Sequence, residues 1–228
     1  MSQSIFITAT DTDAGKTLVA ESVLLAANQI GLSTLGYKPV AAGCEATAQG
    51  LRNQDALTLQ HAASIEIPYE QVNPIAFAEP VAPHLAARRC GEKIDLKCIQ
   101  YGYVDLCKKS ADLLLIEGAG GWRLPLGDGA FMSDFVIRNE IPVILVIGLK
   151  LGCLNHALLT YESLQNDGVK VLGWIANQID PNMLYLQDNI DELHSLIDAP
   201  CLGVIPQLTD LTDANQYVNF NPIFNPKK

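Results

Sequence analysis

The sequence predicts an α/β fold: a single doubly wound domain over residues 1–228, built on a mainly parallel sheet. Three observations favour this class. Apolar segments of strand length alternate with longer helical segments along the whole chain. The strands are continuous apolar runs, which is typical of a parallel sheet that helices cover on both faces. No linker, internal repeat or run of like charges divides the 228 residues.

The first half of the chain begins with a strand and a helix on either side of a short polar loop. The strand over residues 4–9 is rich in β-branched and aromatic side chains, and the helix after the loop ends near Gly31. A second strand is expected over residues 34–40, followed by a helix that starts near Gln54. Four prolines within residues 67–83 indicate that this segment is mostly loop.

The second half repeats the alternation of helix and strand. Apolar runs that end in small or polar residues predict the strands, and the longer segments between them predict the helices. The expected strands are 112–116, 142–148, 169–176 and 201–205, and the expected helices are 94–110, 133–140, 154–165 and 183–197. Because ligands of parallel sheets bind beyond the carboxyl ends of the strands, we expect functional residues in the loops that follow strands.

The charge balance excludes several classes of partner. Fifteen basic against 25 acidic residues give a net charge of -10, which repels nucleic acid and anionic membranes. The longest apolar run, Ile141–Leu149, is too short for a membrane span of about 18 residues, and no signal-peptide pattern opens the chain. We therefore expect a cytoplasmic protein with no nucleic-acid or membrane partner. Six scattered cysteines without a C-x-x-C pair argue against a zinc site.

The strongest motif is the loop between the first strand and the first helix. It ends in Gly15-Lys16-Thr17, as phosphate-binding loops do, and this places the chain among P-loop NTPase-like folds. Backbone N–H groups at a helix start favour an anion, Lys16 adds charge at the β- and γ-phosphates, and Thr17 offers a hydroxyl to Mg²⁺. Ala9 stands where the first glycine is expected, and the spacing is one residue longer. The expected nucleotide contacts here are Asp13, Ala14, Gly15, Lys16, Thr17 and Leu18.

Lys38 ends the second predicted strand, beside the expected phosphate loop. A lysine there either covers a strand edge or gives a second positive charge to a transferring phosphoryl group. The segments 10–17 and 37–43 resemble the dethiobiotin synthetase family, whose loop has the same extended spacing. The resemblance implies that Lys38 and Lys16 are catalytic. Ala42 replaces the family's substrate-contacting serine, so that contact is not expected here.

Two carboxylates complete the phosphate end of the expected site. Asp55 lies near a helix start, where an acid also complements the helix dipole, and the resemblance implies that it is a metal or nucleotide ligand. Glu117 opens a Glu-Gly-Ala-Gly-Gly segment that matches the family throughout, with glycines that let backbone approach a ligand. With Thr17, the two acids could supply the hard oxygen ligands that Mg²⁺ prefers. The nucleotide contacts implied here are Asp55, Glu117, Gly118, Ala119 and Gly120.

The segment from Lys150 to His156 precedes a helix. Free N–H groups at a helix start can bind a carboxylate, although a plain helix cap has the same pattern. In the dethiobiotin synthetase family the similar segment comes from the other subunit of a homodimer and receives the carboxylate tail of the substrate. The resemblance therefore implies a homodimer with the substrate site at the subunit interface. The implied substrate contacts are Gly152, Cys153, Leu154 and Asn155.

Base recognition is expected after the last two strands. Asn177 and Asp180 resemble the guanine-reading Asn-Lys-x-Asp of GTPases, with Gln178 in place of the lysine, but no Asp-x-x-Gly switch follows the third or fourth strand. In the dethiobiotin synthetase family an Ala-Asn pair at this strand end reads the amide edge of adenine. The resemblance implies nucleotide contacts from Asn177, Gln178, Pro206, Gln207 and Leu208, with Asp213 at the ribose.

The matching motifs run from residue 8 to 208, which is nearly the whole chain. The resemblance implies an ATP-dependent ligase that uses Mg²⁺ and forms C–N bonds. Its substrates would be 7,8-diaminononanoate and CO₂: a carbamate forms, takes the γ-phosphoryl group, and is attacked by the second amine. The products would be dethiobiotin, ADP and phosphate, as a step of biotin biosynthesis.

An alternative function is that of a partitioning-type ATPase or GTPase switch. Such proteins resemble Lys-Gly-Gly-x-Gly-Lys-Thr, whereas no lysine precedes Lys16 in this loop, and they often have a basic surface or membrane helix that this acidic chain lacks. Amide-forming synthases of the cobalamin pathway share the loop style, but they need a glutaminase domain for which 228 residues leave no room.

Overall fold

The structure is a computed structural model that describes residues 3–208 and 211–224, with the side chains of 211–213 outside the description. The strands are β1 (Gln3–Ala9), β2 (Thr34–Tyr37), β3 (Val40–Ala41), β4 (Glu45–Thr47), β5 (Gly50–Arg52), β6 (Ile75–Ala76), β7 (Leu113–Glu117), β8 (Pro125–Gly127), β9 (Ala130–Phe131), β10 (Val143–Leu149), β11 (Val171–Gln178) and β12 (Cys201–Ile205). The helices are α1 (Lys16–Gln29), α2 (Gln54–Ala62), α3 (Tyr69–Val72), α4 (Pro83–Arg89), α5 (Leu96–Cys107), α6 (Met132–Arg138), α7 (Cys153–Asn166), α8 (Leu186–Leu196) and α9 (Asn221–Phe224), with a 3₁₀ helix at Leu211–Tyr217.

Six strands form one parallel sheet in the order β2–β7–β1–β10–β11–β12. The first strand is central, and later strands add on both of its sides, which is the doubly wound arrangement predicted from the sequence. All six strands lie within two residues of their predicted starts. The carboxyl ends of β1, β7 and β10 are neighbours, so the loops that follow them meet at one edge of the sheet.

Helices cover both faces of this sheet, and strand alternation decides which side chains face which layer. On β1, Phe6 packs in the core layer that contains α5, α6, α7 and α8, whereas Ile5 and Ile7 pack in the layer that contains α1. On β7, Leu115 belongs to the α1 layer and Ile116 to the opposite one. The next side chain, Glu117, therefore turns to the α1 side, where the phosphate loop ends.

The second strand is shorter than predicted: it was expected over residues 34–40, and it ends at Tyr37. It leaves the sheet after Tyr37, and the residues that follow form β3, which pairs with β6 instead of the main sheet. The backbone N–H of Lys38 donates a hydrogen bond to the Val72 carbonyl. The backbone carbonyl of Lys38 accepts a hydrogen bond from Asn73 Nδ2 at 2.7 Å. Val72 and buried Asn73 thus replace the sheet as the hydrogen-bond partners of the Lys38 backbone.

Several short elements escape the sequence prediction. The segment 67–83, predicted as loop, contains α3 and β6 and leads into α4, which has proline in its first turn as helix starts allow. The hairpins β4–β5 and β8–β9 have strands of two or three residues, too short to show a periodic pattern. Among the described residues, no helix is long and apolar enough to cross a membrane.

Candidate active site

The phosphate loop joins β1 to α1 in a left-handed turn. Gly15 precedes α1 with φ 98°, and Asp13 also has positive φ, at 58°. Turns of this kind gather backbone N–H groups into anion-binding concavities. The Asn177 amide donates to the Ala14 carbonyl at 3.0 Å and occupies the space where a side chain at Gly15 would lie. Glycine is therefore required at position 15 for two reasons, backbone conformation and contact with Asn177.

Lys16 is a buried cation near the charges of Glu117, Asp55 and Asp13, none of which contacts it directly. Its Nζ donates to the Asp11 carbonyl at 3.3 Å, and within the described part of the chain it forms no ion pair with a carboxylate. Burial lowers the pKa of Lys16, and the nearby charge of Lys38 lowers it further. A phosphate group would relieve both effects, because it supplies an opposite charge.

Lys38 lies between two carboxylates. Its Nζ is 2.6 Å from Glu117 Oε1 and 2.8 Å from Asp55 Oδ2, and it also donates to the Gly118 carbonyl at 3.3 Å. Burial disfavours the charged form, but the two carboxylates outweigh that effect and raise the pKa of Lys38. The ammonium group therefore stays protonated at neutral pH inside the protein.

The carboxylates differ in environment. Glu117 is buried, and burial raises its pKa against the opposing charge of Lys38. Asp55 is partly open to solvent in the first turn of α2, where Asn53 caps the helix; burial raises its pKa, but the charge and hydrogen bond of Lys38 outweigh this and lower it. Thr17 Oγ1 donates to Glu117 Oε1 at 3.0 Å, so the start of α1 and the end of β7 meet here.

These groups fit a magnesium ion that also binds phosphates. Thr17, Asp55 and Glu117 all present oxygen atoms to one small region, and Glu117 Oε2 is buried without a hydrogen-bond partner. Across residues 3–208 and 211–224, no group of three or more His, Cys, Asp or Glu side chains could hold a metal. Mg²⁺ commonly uses one or two carboxylates and completes its shell with water and substrate phosphates, which matches this donor set.

A cleft of about 870 Å³ opens over these residues. That volume lies within the usual range for small-molecule sites of about 300–1,000 Å³. One wall is the phosphate loop with the cluster around Lys38, and the sequence analysis predicts it. A second wall was missed, although Pro80–Pro83 are the last residues of the proline-rich segment and loops commonly carry functional residues. The missed lining residues are Thr12, Ala41, Gly43, Asn53, Pro80, Val81, Ala82, Pro83 and Leu124.

The residues expected to bind the base gather at the ends of β11 and β12, outside the lining of this cleft. Asn177 contacts the phosphate loop, and the Gln207 N–H donates to Gln178 Oε1 at 3.4 Å. Pro206 and Leu208 flank Gln207 in the same loop. The Asp213 side chain lies outside the described residues. The remaining predicted nucleotide contacts divide into two groups. The cleft is lined by Ala119 and Gly120, but not by Ala14, Leu18 and Gly118, which are next to lining residues in the sequence.

The residues expected to hold the substrate tail are not part of the lining of their own chain's cleft. Gly152 has φ 93° and precedes α7, which begins at buried Cys153. Leu154 and Asn155 follow in the first turn, and Leu151 just before them is 95% exposed. The structure thus groups these four residues at one helix start but does not bring them to the Lys38 cluster.

Comparison with known proteins identifies the family. A family model described as an AAA domain matches residues 3–215. ATP-dependent dethiobiotin synthetases from Cellvibrio japonicus and Vibrio parahaemolyticus are 48% and 46% identical, over 98% and 99% of each chain. The Pseudomonas aeruginosa enzyme is 48% identical over 92% of each chain. The chain belongs to the dethiobiotin synthetase family. The resemblance that the motifs predicted is confirmed.

Solved structures with the same fold include two cell-division and partitioning proteins. The MinC:MinD complex of Aquifex aeolicus gives a TM-score of 0.56 at 17% identity, covering 94% of this chain and 85% of that one. A ParA family ATPase from Chlorobium tepidum gives 0.58 at 13%, covering 100% and 95%. At such low identity the likeness shows fold alone, and it confirms that this member of the dethiobiotin synthetase family has the predicted P-loop NTPase-like fold.

Proposed function

We propose that the chain catalyses ATP-dependent dethiobiotin synthesis in biotin biosynthesis, acting as one domain on 7,8-diaminononanoate and CO₂. The observation that carries the proposal is the buried ammonium of Lys38, shared by Glu117 and Asp55 in the same cleft as Lys16. Two lysines in one cleft suit a reaction that gathers negative charge on a transferring phosphoryl group. The near full-length identity to dethiobiotin synthetases supports the choice of reaction.

The reaction needs positioning and charge neutralisation more than acid–base chemistry. An amine of the diamine attacks CO₂ and loses a proton, which forms a carbamate. A carbamate oxygen attacks the γ-phosphorus of ATP, and ADP leaves. The second amine then attacks the carbonyl carbon of the mixed anhydride, which expels phosphate and closes the ureido ring. In this scheme Lys16 and Lys38 bracket the phosphoryl group, and the cleft holds the reacting groups in line.

The oxygen ligands in the cleft give the metal a defined place. Thr17, Asp55 and Glu117 would hold Mg²⁺, which when bound neutralises charge on the β- and γ-phosphate oxygens. The Lys38 ammonium now occupies the space between the two carboxylates. Glu117 and Asp55 outweigh burial and raise its pKa, so it keeps its proton at neutral pH. Lys38 therefore acts as a fixed positive charge.

The remaining contacts follow the family pattern. Nucleotide binding is proposed for the loop from Asp13 to Leu18, for Glu117 to Gly120, and for the cluster at the ends of β11 and β12. The start of α7, from Gly152 to Asn155, would receive the substrate carboxylate in the cleft of a second copy. This arrangement is supported by the exposed Leu151 beside it and by the absence of these four residues from the lining of the cleft in their own chain. We propose a cytoplasmic homodimer.

The reaction is tested directly by incubating the protein with ATP, Mg²⁺, bicarbonate and the diamine. We expect dethiobiotin by mass spectrometry, together with one ADP for each ring closed. ATP hydrolysis that is indifferent to the diamine would instead indicate a partitioning-type switch. A strong preference for GTP would favour the guanine-reading interpretation of Asn177 and Asp180. The matched control is Lys93→Met, which removes an exposed lysine paired with Asp128 and should keep full activity.

The shared site is tested by mixing two inactive variants. Lys38→Ala damages the cleft, and Asn155→Ala damages the proposed carboxylate site. If each site takes one residue from each subunit, a mixed dimer contains one intact site, and random mixing returns about a quarter of wild-type activity. No recovery after subunit exchange would refute the shared site and leave the reaction itself untouched.

A further inference from the structure

An ion pair connects the phosphate loop to the segment that precedes α7. Lys150 Nζ lies 2.8 Å from Asp11 Oδ2. The other carboxylate oxygen of Asp11 accepts from the Thr12 N–H at 2.8 Å, and its carbonyl accepts from Lys16 Nζ at 3.3 Å. Asp11 therefore contacts both lysines: its carboxylate pairs with Lys150, and its backbone carbonyl accepts a hydrogen bond from Lys16.

Stability alone does not account for this pair. The Asp11 and Lys150 side chains are 44% and 36% exposed, and exposed ion pairs contribute little to folding. The main sheet already joins the two segments, because β1 and β10 pair in parallel up to Ala9 and Val146. What the pair adds is a fixed conformation beyond the strand ends, where the sheet no longer holds the chain.

The first residue of the loop, Thr10, is hydrogen-bonded to β10. The Thr10 N–H donates to the Val146 carbonyl at 3.0 Å, and the Gly148 N–H donates to Thr10 Oγ1 at 3.4 Å. On the other side, the Cys153 N–H donates to the Lys150 carbonyl at 2.9 Å. A continuous series of short contacts thus runs from Lys16 through Asp11 and Lys150 to the first residue of α7.

We propose that Lys150 is a positioning residue for ATP binding: by holding Asp11, it fixes the backbone that orients the Lys16 ammonium. The inference rests on the proposed function in assigning the ATP phosphates to this loop. It also predicts that the phosphate loop is connected, through Asp11 and Lys150, to the start of α7. That helix start is part of the proposed carboxylate site. His156 is the other basic group that faces Asp11, and it lies in the first turn of the same helix.

The experiment measures affinity for a non-hydrolysable ATP analogue with Mg²⁺, by calorimetry on the full chain. Lys150→Met and Asp11→Asn should each weaken binding about fivefold, and the double variant should bind no more weakly than either single one. Lys150→Arg should restore most of the affinity, since it keeps the charge. Lys93→Met removes a more exposed ion pair away from the loop and should bind as the wild type does.

Two results would overturn the proposal. If the single effects multiply in the double variant, Lys150 acts on the nucleotide independently of Asp11. If both single variants bind as tightly as the wild type, the pair has no positioning role. Thermal unfolding of each variant separates loss of fold from loss of affinity. Because the diamine and turnover are absent from this test, its outcome is independent of whether dethiobiotin is the product.

Discussion

Lys38 Nζ lies 2.6 Å from Glu117 Oε1, and the two side chains are 3% and 0% exposed. Removing one member of such a buried pair leaves the other charge uncompensated, which commonly costs about 3–5 kcal/mol. Asp55 lies 2.8 Å from the same ammonium but is partly open to water. The proposed catalytic lysine is therefore also the group that neutralises a buried carboxylate, so catalysis and stability are linked at this point.

This link changes the expected result of Lys38→Ala. From the sequence alone, the substitution should abolish turnover with little loss of fold. From the structure, we expect turnover to be lost and the free energy of unfolding to fall by about 3 kcal/mol. The loss is at the low end because burial already raises the pKa of Glu117, which can take up a proton. Urea denaturation at neutral pH measures it.

The double variant Lys38→Ala/Glu117→Gln provides the control. It removes the buried carboxylate as well, so we expect it to recover most of the lost stability and none of the activity. A single variant as stable as the wild type would contradict the importance of the buried pair. Recovery of activity in the double variant would contradict the catalytic role of Lys38.

Gly15 and Gly31 form a matched pair for testing the phosphate loop. Both have positive φ, 98° and 84°, but a side chain at Gly15 meets the Asn177 amide, whereas nothing lies near one at Gly31. Gly31→Ala should lower the free energy of unfolding by about 1 kcal/mol, from backbone strain alone. Gly15→Ala should cost about 2–4 kcal/mol and should weaken ATP binding, because the loop must also shift.

A second substitution separates the steric contact with Asn177 from the backbone strain at position 15. In Gly15→Ala/Asn177→Ala the amide is gone, so the extra cost over Gly31→Ala should largely disappear. ATP affinity should stay low, because the Asn177 bond to the Ala14 carbonyl is also lost. Equal stability of Gly15→Ala and Gly31→Ala would show that the contact with Asn177 has no energetic weight.

The main sheet was predictable because its strands are mostly apolar runs of strand length with few polar residues inside them. The apolar run Ile141–Leu149, for example, contains the whole of β10, and every residue of that strand is buried. The elements that escaped prediction, such as α3 (Tyr69–Val72), are short and are held by side-chain contacts that sequence patterns do not show. Tyr69, for instance, accepts from the Asn53 N–H at 2.7 Å, which joins α3 to the start of α2.

The site was predictable where one motif or one resemblance named a residue. Lys16, Lys38 and Glu117 meet as expected, because the ends of neighbouring parallel strands converge. The ion pairs between Lys38 and the two carboxylates were not predictable. The sequence motifs indicated that the lysine contacts phosphate and that the acids bind a metal ion. The wall at Pro80–Pro83 was also missed, because its place in the lining of the cleft depends on the packing of α4 on Phe77.

Ala42 offers a test of substrate binding. It lines the cleft, and the resemblance noted in the sequence implies a serine at this position. Ala42→Ser adds a hydroxyl that can donate a hydrogen bond to the substrate, so we expect the KM for the diamine to fall about threefold. The KM for ATP should not change, and it serves as the internal control. A higher KM for the diamine would show that this cleft binds the substrate in another way.

Asp112 predicts a measurable pH dependence of stability. Its Oδ2 accepts from the Ser33 hydroxyl at 2.7 Å and from the Ser33 N–H at 2.8 Å, at the point where β2 and β7 begin. The hydrogen bond from the hydroxyl, and then that from the backbone, lower the pKa of Asp112 below its ordinary value of 3.8. A carboxyl group with a lowered pKa in the folded state stabilises the protein above its unfolded-state pKa.

That contribution is lost as the pH falls through the lowered pKa, because both states are then protonated. Asp112→Asn should therefore be less stable than the wild type near neutral pH, and the difference should narrow below about pH 4. Denaturant titrations at several pH values measure the difference. In the Ser33→Ala background the narrowing should become smaller, since the hydrogen bond from the hydroxyl is gone and only the one from the backbone N–H at position 33 remains. A difference that stays constant with pH would mean that the Asp112 charge does not contribute to folding.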